Sequence, residues 1–241
     1  MTNDKSKPTL TIDNYLDNHY IHRSNWLRAA VLGANDGIIS ISSLAIGIAA
    51  ASATREPTVL AAVAGLVAGA LSMAAGEYVS VSSQTDTEKA DIEREKVELK
   101  EMPDEELSIL AQIYERRGLK KETAMQVALE LTEKDALAAH IRDELGINEI
   151  SQANPIQAAL ASGASFTIGG VLPLLVVLFA PIKGMEYWLY ASTILFLIIL
   201  GAMSAKTGGS SISKAILRIT IWGTIAMGLS AWVGYLFGIK V

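Results

Sequence analysis

The stretch WLYASTILFLIILGAM, residues 188–203, decides the fold class. The segment around it, 187–205, contains no Asp, Glu, Lys or Arg. A helix rises about 1.5 Å per residue and the hydrocarbon core of a bilayer is about 30 Å thick, so roughly 20 apolar residues are needed to cross it. The segment therefore predicts a transmembrane helix.

Four further segments have similar length and composition, and they lie on both sides of a strongly charged region. One of them begins at Asn154 and Pro155, a capping residue followed by a proline that suits the first helical turn. The polar segment 1–25 lacks the apolar core of a signal peptide, so we expect the first hydrophobic helix to direct insertion. The chain is therefore predicted to be an all-α membrane protein with five transmembrane helices, at residues 26–53, 57–82, 155–180, 187–205 and 212–237.

The region between the second and third membrane helices, 84–154, is dense in charged residues. We expect residues 88–101 to extend the second membrane helix into water until Met102 and Pro103 break it. A helical insert of about three helices is predicted, with the segments after the break at 104–117, 120–131 and 132–145. The predicted organisation is a polar segment 1–25, membrane helices in 26–83, the insert in 84–154 and membrane helices in 155–241.

The ends of the insert helices carry capping signals. Gly118 and Gly146 are placed to end two of these helices, because glycine readily takes the left-handed conformation that follows a helix. Thr132 is the predicted amino-terminal cap of the last helix. No segment shows the alternation of apolar and polar residues that is typical of a strand.

Charge and composition exclude several classes of protein. The net charge of −5 and the pI near 5.3 leave no basic patch for phosphate, so nucleic acid is not an expected partner. The absence of cysteine excludes disulfides and thiolate ligands. Lys and Arg near the helix ends place the amino terminus and the insert in the cytosol and the carboxyl terminus on the opposite side.

Two acidic residues lie inside the predicted membrane helices. Asp36 and Glu77 are both expected between the midplane and the cytoplasmic face, at a matched depth. A charge at the bilayer centre costs about 2.5 to 3.5 kcal/mol on insertion scales. Met73 is one helical turn before Glu77 and offers a thioether ligand, while Asn35 and Ser72 offer oxygens. The pattern indicates a polar path for a cation. The alternatives are interfacial snorkelling or a structural hydrogen bond for the acids, and helix packing for the other three.

Six side chains in the insert are of the kinds that bind divalent transition metals. Glu95 and Glu98 are three residues apart, and His140 and Glu144 are four apart, so each pair shares a helix face. The alternative is an ordinary solvated helix face, since most acidic helices contain such pairs. The predicted metal ligands are Glu95, Glu98, Glu105, Glu106, His140 and Glu144. His19 and His22 form a further pair, for which surface positions before the membrane are the favoured interpretation.

Three stretches carry a resemblance to a known family: RAAVLGANDGIISISSL at 28–44, VAGALSMAAGEYVSVSSQTDTEKADIEREKVEL at 67–99 and DALAAHIRDELGI at 135–147. From about Tyr20 onward the chain resembles the vacuolar iron transporter family, in a bacterial-type form. The resemblance implies a five-helix homodimer in a bacterial inner membrane. It also implies that the cytosolic insert gathers iron(II) and that the membrane helices export the ion in exchange for protons.

The resemblance assigns roles to individual residues. It implies that Asp36, Met73 and Glu77 lie on the membrane path. Its implied insert ligands are Glu95, Glu98, Glu106 and Glu144.

Two positions depart from the family's pattern. Ile109 stands where relatives often have a further glutamate, and His140 stands where some have methionine. These departures leave the number of metal ions open, and they make zinc(II) or manganese(II) more credible ions for the insert.

The resulting prediction is a secondary transporter that exports iron(II), with manganese(II), zinc(II) or cobalt(II) as alternative ions, and that uses no resident cofactor and no catalytic residue. Lipid, divalent ions, protons and a second copy of the chain are the expected partners. One alternative is a membrane protein that senses or binds metal without transport. Another is a ferritin-like ferroxidase, but such sites need Glu-x-x-His motifs and Leu137 stands three residues before His140.

Overall fold

The computed structural model describes the backbone of residues 24–147 and 154–238, and their side chains from residue 30 onward. The polar segment 1–25, with its two histidines, lies almost entirely outside this part of the chain. Within it there are seven helices and no strand, as predicted for an all-α protein. The helices are α1 (Ser24–Ala51), α2 (Glu56–Glu101), α3 (Pro103–Arg116), α4 (Lys121–Asp143), α5 (Pro155–Phe179), α6 (Met185–Thr207) and α7 (Ile212–Phe237).

Five of these helices are long and apolar enough to cross a membrane: α1, α2, α5, α6 and α7. Many of their large apolar side chains remain exposed, and Phe179 and Phe237 are each 80% exposed. A soluble protein would not leave so much apolar surface in water, whereas lipid covers it. The prediction of an integral membrane protein with five spans is confirmed.

Helix α2 is longer than a membrane span requires. Its 46 residues correspond to about 69 Å of helix, more than twice the hydrocarbon core. The apolar part gives way to charged residues from Asp86 onward, and the helix continues unbroken to Glu101, as predicted. Met102 leaves the helical conformation, and Pro103 opens α3, because a proline fits the first turn of a helix but not its interior.

The chain divides into two compact units, which are described separately. The first contains Met1–Glu77 and Ala158–Val241, and so holds the membrane helices. The second contains Tyr78–Gln157, and so holds the charged part of α2 together with α3 and α4.

Glycines let α1 and α5 touch backbone to backbone in the first unit. A Cβ on Gly33 would lie 2.8 Å from the Cβ of Ser165, and a Cβ on Gly37 would collide with the carbonyl oxygen of Phe166. On α5, a Cβ on Gly169 would collide with the carbonyl oxygen of Ala34. Small residues at such contacts allow the close helix packing that stabilises membrane bundles.

The other membrane helices pack around this pair. The ring of Phe166 is buried against α2, where Gly69 leaves room for it. Ser42 of α1 and Thr193 of α6 are both buried and share a hydrogen bond of 2.6 Å between their hydroxyls. Arg55, in the connection between α1 and α2, donates to carbonyl oxygens at the carboxyl end of α5 and so pairs groups that the helix leaves free.

In the second unit, α3 and α4 form a hairpin over a small apolar core of Leu110, Ala111, Ala128 and Ala139. Gly118 and Gly146 have φ values of +101° and +68°, so both end their helices in the left-handed conformation, as predicted.

The predicted cap at Thr132 is wrong. The helix is interrupted at Asp135 (φ −169°, ψ 95°), whose Oδ1 accepts a 3.0 Å hydrogen bond from the backbone N–H of Ala138. The Thr132 hydroxyl is buried without a hydrogen-bond partner among the described residues. Because the Asp135 side chain caps the last segment, that segment starts three residues later than predicted and α4 is a single kinked helix.

A polar brace joins the carboxyl ends of α3 and α4. The carboxylate of Asp143 accepts a 2.9 Å hydrogen bond from the Tyr114 hydroxyl and a 2.6 Å hydrogen bond from Arg117. Arg142 donates to the same carboxylate at 2.6 Å. Burial alone would raise the pKa of Asp143, but the hydrogen bonds from these three partners outweigh it and lower the pKa below its ordinary value.

Candidate metal centre

Four side chains from three helices converge in the second unit. Glu95 comes from the charged part of α2, Glu106 from α3 and His140 from α4, and Glu144 is the residue that caps the carboxyl end of α4. One ligand atom from each lies within 4.8 Å of all the others. The first three side chains are buried and Glu144 is partly exposed, so the cluster has one open side.

The Nδ1 atom of His140 lies at the centre of three carboxylates. It is 2.8 Å from Oε2 of Glu144, 2.9 Å from Oε1 of Glu95 and 3.7 Å from Oε2 of Glu106. A neutral imidazole carries at most one hydrogen on this nitrogen and can satisfy only one of them. Glu95 is 1% exposed, yet its Oε1 has no hydrogen bond to the described part of the chain.

The cluster lacks a basic partner strong enough to balance three carboxylates. No Lys or Arg nitrogen in the described ranges lies within 4.0 Å of Glu95, Glu106 or Glu144. Burial, and then the nearby charge of Glu144, raise the pKa of Glu95 and of Glu106, while His140 acts in the opposite direction. A divalent cation would balance the charge that protons otherwise balance.

The donor set is one imidazole nitrogen with carboxylate oxygens. This combination suits iron(II), manganese(II), cobalt(II) and zinc(II), whereas an oxygen-only set would suit magnesium or calcium. The geometry therefore describes a candidate site for a divalent transition metal.

Two of the predicted insert ligands do not join this cluster. Glu98 lies almost one turn beyond Glu95 and faces Arg94, whose Nε is 3.7 Å from its Oε2. Glu105 is exposed, because its neighbour Glu106 points inward and consecutive helical residues differ by about 100° in direction. Ile109, named above as a departure from the resemblance, has no donor atom and is 37% exposed.

The predicted path residues of α1 lie in the first unit. Asp36 is partly buried and accepts a 2.6 Å hydrogen bond from the hydroxyl of Ser40, one turn later. The Oδ1 atom of Asn35 is buried and has no hydrogen-bond partner within the described residues. Ser40 was not predicted as part of the path, although its i+4 spacing from Asp36 is a signal that could have indicated it.

The predicted path residues of α2 differ in exposure. Met73 is partly buried and packs against the apolar core of the membrane unit. Glu77 is partly buried, and Ser72 is exposed. In this single chain Ser72 therefore faces away from the core, on a surface that lipid or a second subunit would cover.

The depths of these residues can be compared through α5, which contacts both α1 and α2. Gly33 of α1 meets Ser162 and Ser165, and Ala74 of α2 meets Gly163, so Gly33 and Ala74 lie against the same turn of α5. Gly37 and Gly69 both meet Phe166, one turn farther along α5. Since residue numbers rise along α1 while they fall along α2, the two helices are antiparallel.

The three main path residues are therefore staggered, whereas the sequence predicted a matched depth for the two acids. Asp36 is three residues after Gly33 and Glu77 is three residues after Ala74, in opposite directions, so the two acids differ in depth by about 9 Å. Met73 lies between them, about 3 Å in depth from Asp36. The order along α5 is Glu77, Met73, Asp36.

The insert cluster predicts a pH-dependent stability in the full-length, metal-free protein. Because the pKa of Glu106 is raised above its ordinary value of 4.5 in the folded state, the folded form holds extra protons between pH 4.5 and the raised pKa. Stability of α3 and α4 should therefore fall as pH rises through that interval. Hydrogen exchange of their backbone amides, corrected for intrinsic rates, should show higher protection near pH 5 than at pH 7. Cobalt(II) should remove the difference.

Glu106→Gln should raise the hydrogen-exchange protection of the metal-free protein at pH 7, because it removes one of the repelling charges. Glu130→Gln, at an exposed acid of α4 outside the cluster, is the matched control. Equal protection at both pH values in the metal-free wild-type protein would contradict the prediction. Asp143 does not affect this comparison between pH 5 and pH 7. Because its pKa is lowered in the folded state, its contribution to the free energy of unfolding is lost only as pH falls below the ordinary pKa of 3.8.

Comparison with known proteins extends over most of the chain. A family model described as the VIT family matches residues 27–235. The chain is 45% identical over 216 residues to a vacuolar iron transporter of Acanthamoeba castellanii, covering 88% of this chain and 79% of that protein. It is 36% identical over 221 residues to vacuolar iron transporter homolog 1 of Oryza sativa subsp. japonica, covering 91% and 77%. It is 32% identical over 231 residues to vacuolar iron transporter homolog 3 of Arabidopsis thaliana, covering 94% and 92%.

Proposed function

Because this chain belongs to the VIT family, we propose that it exports divalent transition-metal ions, iron(II) first among them, from the cytosol in exchange for protons. In this proposal the insert captures the ion in the cytosol and the membrane helices carry it to the other side. Manganese(II), cobalt(II) and zinc(II) are further cargo ions that the same ligands accommodate. The protein is a secondary transporter and catalyses no covalent reaction.

The observation that carries the proposal is the insert cluster. Glu95 and Glu106 are buried carboxylates with raised pKa values, they face a single imidazole, and no Lys or Arg in the described residues pairs with them. Burying such a set is costly unless protons or a cation balance it. A site that exchanges protons for a divalent ion suits the collection of cargo.

The membrane half of the proposal rests on Glu77, Met73 and Asp36. Their staggered depths suit an ion that passes from Glu77 past the Met73 thioether to Asp36. An unbalanced charge within the membrane is costly, so we propose that each carboxylate exchanges a proton for the cation, and metal moving one way would then release protons to move the other way. This order of contacts makes Asp36 the last carboxylate before the far side.

Orientation and assembly complete the proposal. The lysine and arginine distribution supports a cytosolic amino terminus and insert, with the carboxyl terminus outside the cytosol, and we propose the bacterial cell membrane as the location. The exposed small and polar residues of α2, such as Ser72 and Gly76, support a homodimer in which a second copy lines the path.

A flux assay in proteoliposomes tests the function. With the protein reconstituted, iron(II) under reducing conditions should enter vesicles whose interior is acidic faster than vesicles without a pH gradient. A lumenal pH dye should report alkalinisation that depends on added metal. Manganese(II), cobalt(II) and zinc(II) compared under the same gradient would rank the cargo ions.

Metal binding without any metal-driven flux would overturn export and support the alternative of a metal-sensing membrane protein. Metal flux that is independent of the pH gradient and causes no change in lumenal pH would support transport but overturn proton exchange. Protein-free vesicles carrying the same gradient are the control for leakage.

A further inference from the structure

We propose that His140 sets the metal selectivity of the insert, by making it a one-ion site with one nitrogen and three carboxylate ligands. Such a site prefers zinc(II), cobalt(II) and iron(II) over manganese(II) and magnesium(II). The inference rests on the proposed function, because it concerns which ion the insert collects for export.

The first support is the central position of the imidazole. His140 is fully buried, and its Nδ1 lies within 3.7 Å of an oxygen from each of Glu95, Glu106 and Glu144. An ion placed among these oxygens cannot avoid the nitrogen. The ring is therefore a direct ligand in this geometry rather than an outer partner that orients another ligand.

The second support is an unpaired oxygen inside the cluster. Oε1 of Glu95 is buried 2.9 Å from Nδ1 of His140, yet it has no hydrogen-bond partner among the residues that the structure describes. Buried polar atoms are normally paired, and Nδ1 already shares a 2.8 Å hydrogen bond with Glu144. A cation bound beside Nδ1 would pair this oxygen.

The third support is the number of ligands. The four ligand atoms lie within 4.8 Å of one another, which is the space of one coordination sphere. A second ion would need further carboxylates, but Glu98 faces Arg94, Glu105 is exposed and Ile109 has no donor atom. The residues present therefore provide for a single ion.

The selectivity follows from the donor type. Affinity of nitrogen and oxygen sites rises from manganese(II) through iron(II) to cobalt(II), and zinc(II) also binds imidazole well. Magnesium(II) is a hard ion that keeps oxygen ligands and water. Replacing the one nitrogen by an oxygen should therefore weaken zinc(II) and cobalt(II) binding much more than manganese(II) binding.

The experiment uses the full-length protein in detergent at a fixed pH of about 7. The chain contains three histidines, so His19→Ala with His22→Ala leaves His140 as the sole source of imidazole. In this background, chelator competition should give one bound zinc(II) per chain. Pulsed electron paramagnetic resonance of bound manganese(II) at high concentration should show coupling to an imidazole nitrogen.

His140→Gln in the same background should weaken zinc(II) and cobalt(II) binding by at least about tenfold, since loss of one ligand costs no less than loss of an outer partner. Manganese(II) affinity should change by less than about threefold, and the nitrogen coupling should disappear. Glu130→Gln, which changes an exposed acid of α4 outside the metal cluster, is the matched control and should leave every value unchanged. His140→Leu tests a second replacement of similar size, which has no donor atom and should also remove the nitrogen coupling and lower the zinc(II) to manganese(II) ratio.

Any of three results would overturn the inference. These are two bound ions per chain, no nitrogen coupling while His140 is present, and an unchanged zinc(II) to manganese(II) affinity ratio in folded His140 variants. The manganese(II)–nitrogen coupling is measured in the protein that keeps His140. It therefore decides the question even if both His140 variants misfold. These equilibrium measurements are independent of transport. Absence of flux with the selectivity intact would overturn the proposed function alone, whereas flux with an unchanged ratio would overturn this inference alone.

Discussion

Asp36→Asn is expected to lower metal-driven uptake into proteoliposomes by at least about tenfold, which corresponds to about 1.4 kcal/mol in the rate-limiting barrier. Asparagine has nearly the same shape and still accepts a hydrogen bond from Ser40, but it carries no charge and holds no exchangeable proton. The variant should thus lose both the ion contact and the proton exchange. Initial rates of iron(II) uptake and of lumenal alkalinisation measure the two losses.

The matched control is Asp86→Asn, which changes an exposed acid in the charged part of α2 outside the metal cluster. Its flux should equal that of the parent. Zinc(II) binding to the insert should be normal in both variants. Uptake by Asp36→Asn at the parent rate, in vesicles holding equal amounts of protein, would show that the ion does not pass this carboxylate.

Gly37→Ala is expected to disrupt the membrane unit. The added methyl would collide with the carbonyl oxygen of Phe166 and lie 2.8 Å from the backbone nitrogen of Gly170, and neither backbone atom can turn aside as the tip of a flexible side chain can. Overpacking of this kind costs about 1 to 3 kcal/mol and sometimes more. The thermal unfolding temperature in detergent should fall by several degrees, and the yield of monodisperse protein should fall with it.

Gly228→Ala is the matched control, because the same substitution at this position is not expected to lower the unfolding temperature. A methyl at Gly228 of α7 has nothing within 4 Å, and alanine favours a helix over glycine by up to about 1 kcal/mol. This variant should therefore be as stable as the parent or more stable. If both alanine variants unfold at the parent temperature, the backbone contact between α1 and α5 is looser than described.

Hydropathy was enough to predict the membrane fold, because a span needs a certain length of apolar helix whatever its neighbours are. The continuation of α2 and its end before Pro103 were also predictable, since both depend on local properties of the backbone. The cap at Asp135 was missed because Thr132 and Asp135 are both good caps. The choice between them depends on how the hairpin packs, and the sequence does not reveal that packing.

The sequence predicted which types of residue form the candidate site, but not which individual residues converge there. Helical spacing identified Glu95 and Glu98 equally, and only the rotation of α2 about its axis brings Glu95 inward and leaves Glu98 beside Arg94. The meeting of Glu106 with His140 depends on the turn between α3 and α4. In the membrane unit, the stagger of Glu77, Met73 and Asp36 emerges from the packing on α5, which no local pattern contains.

The brace around Asp143 has a consequence for the speed of ion capture. Tyr114 of α3 and Arg117, the residue that caps α3, bond to Asp143 at the end of α4. These contacts lie outside the metal cluster and position His140 and Glu144 beside Glu106. Little chain entropy is then lost on binding, and the encounter requires no refolding step. In the proposed function, an insert pre-organised in this way would bind scarce ions at a rate limited mainly by their loss of hydration water, and would release them while remaining folded.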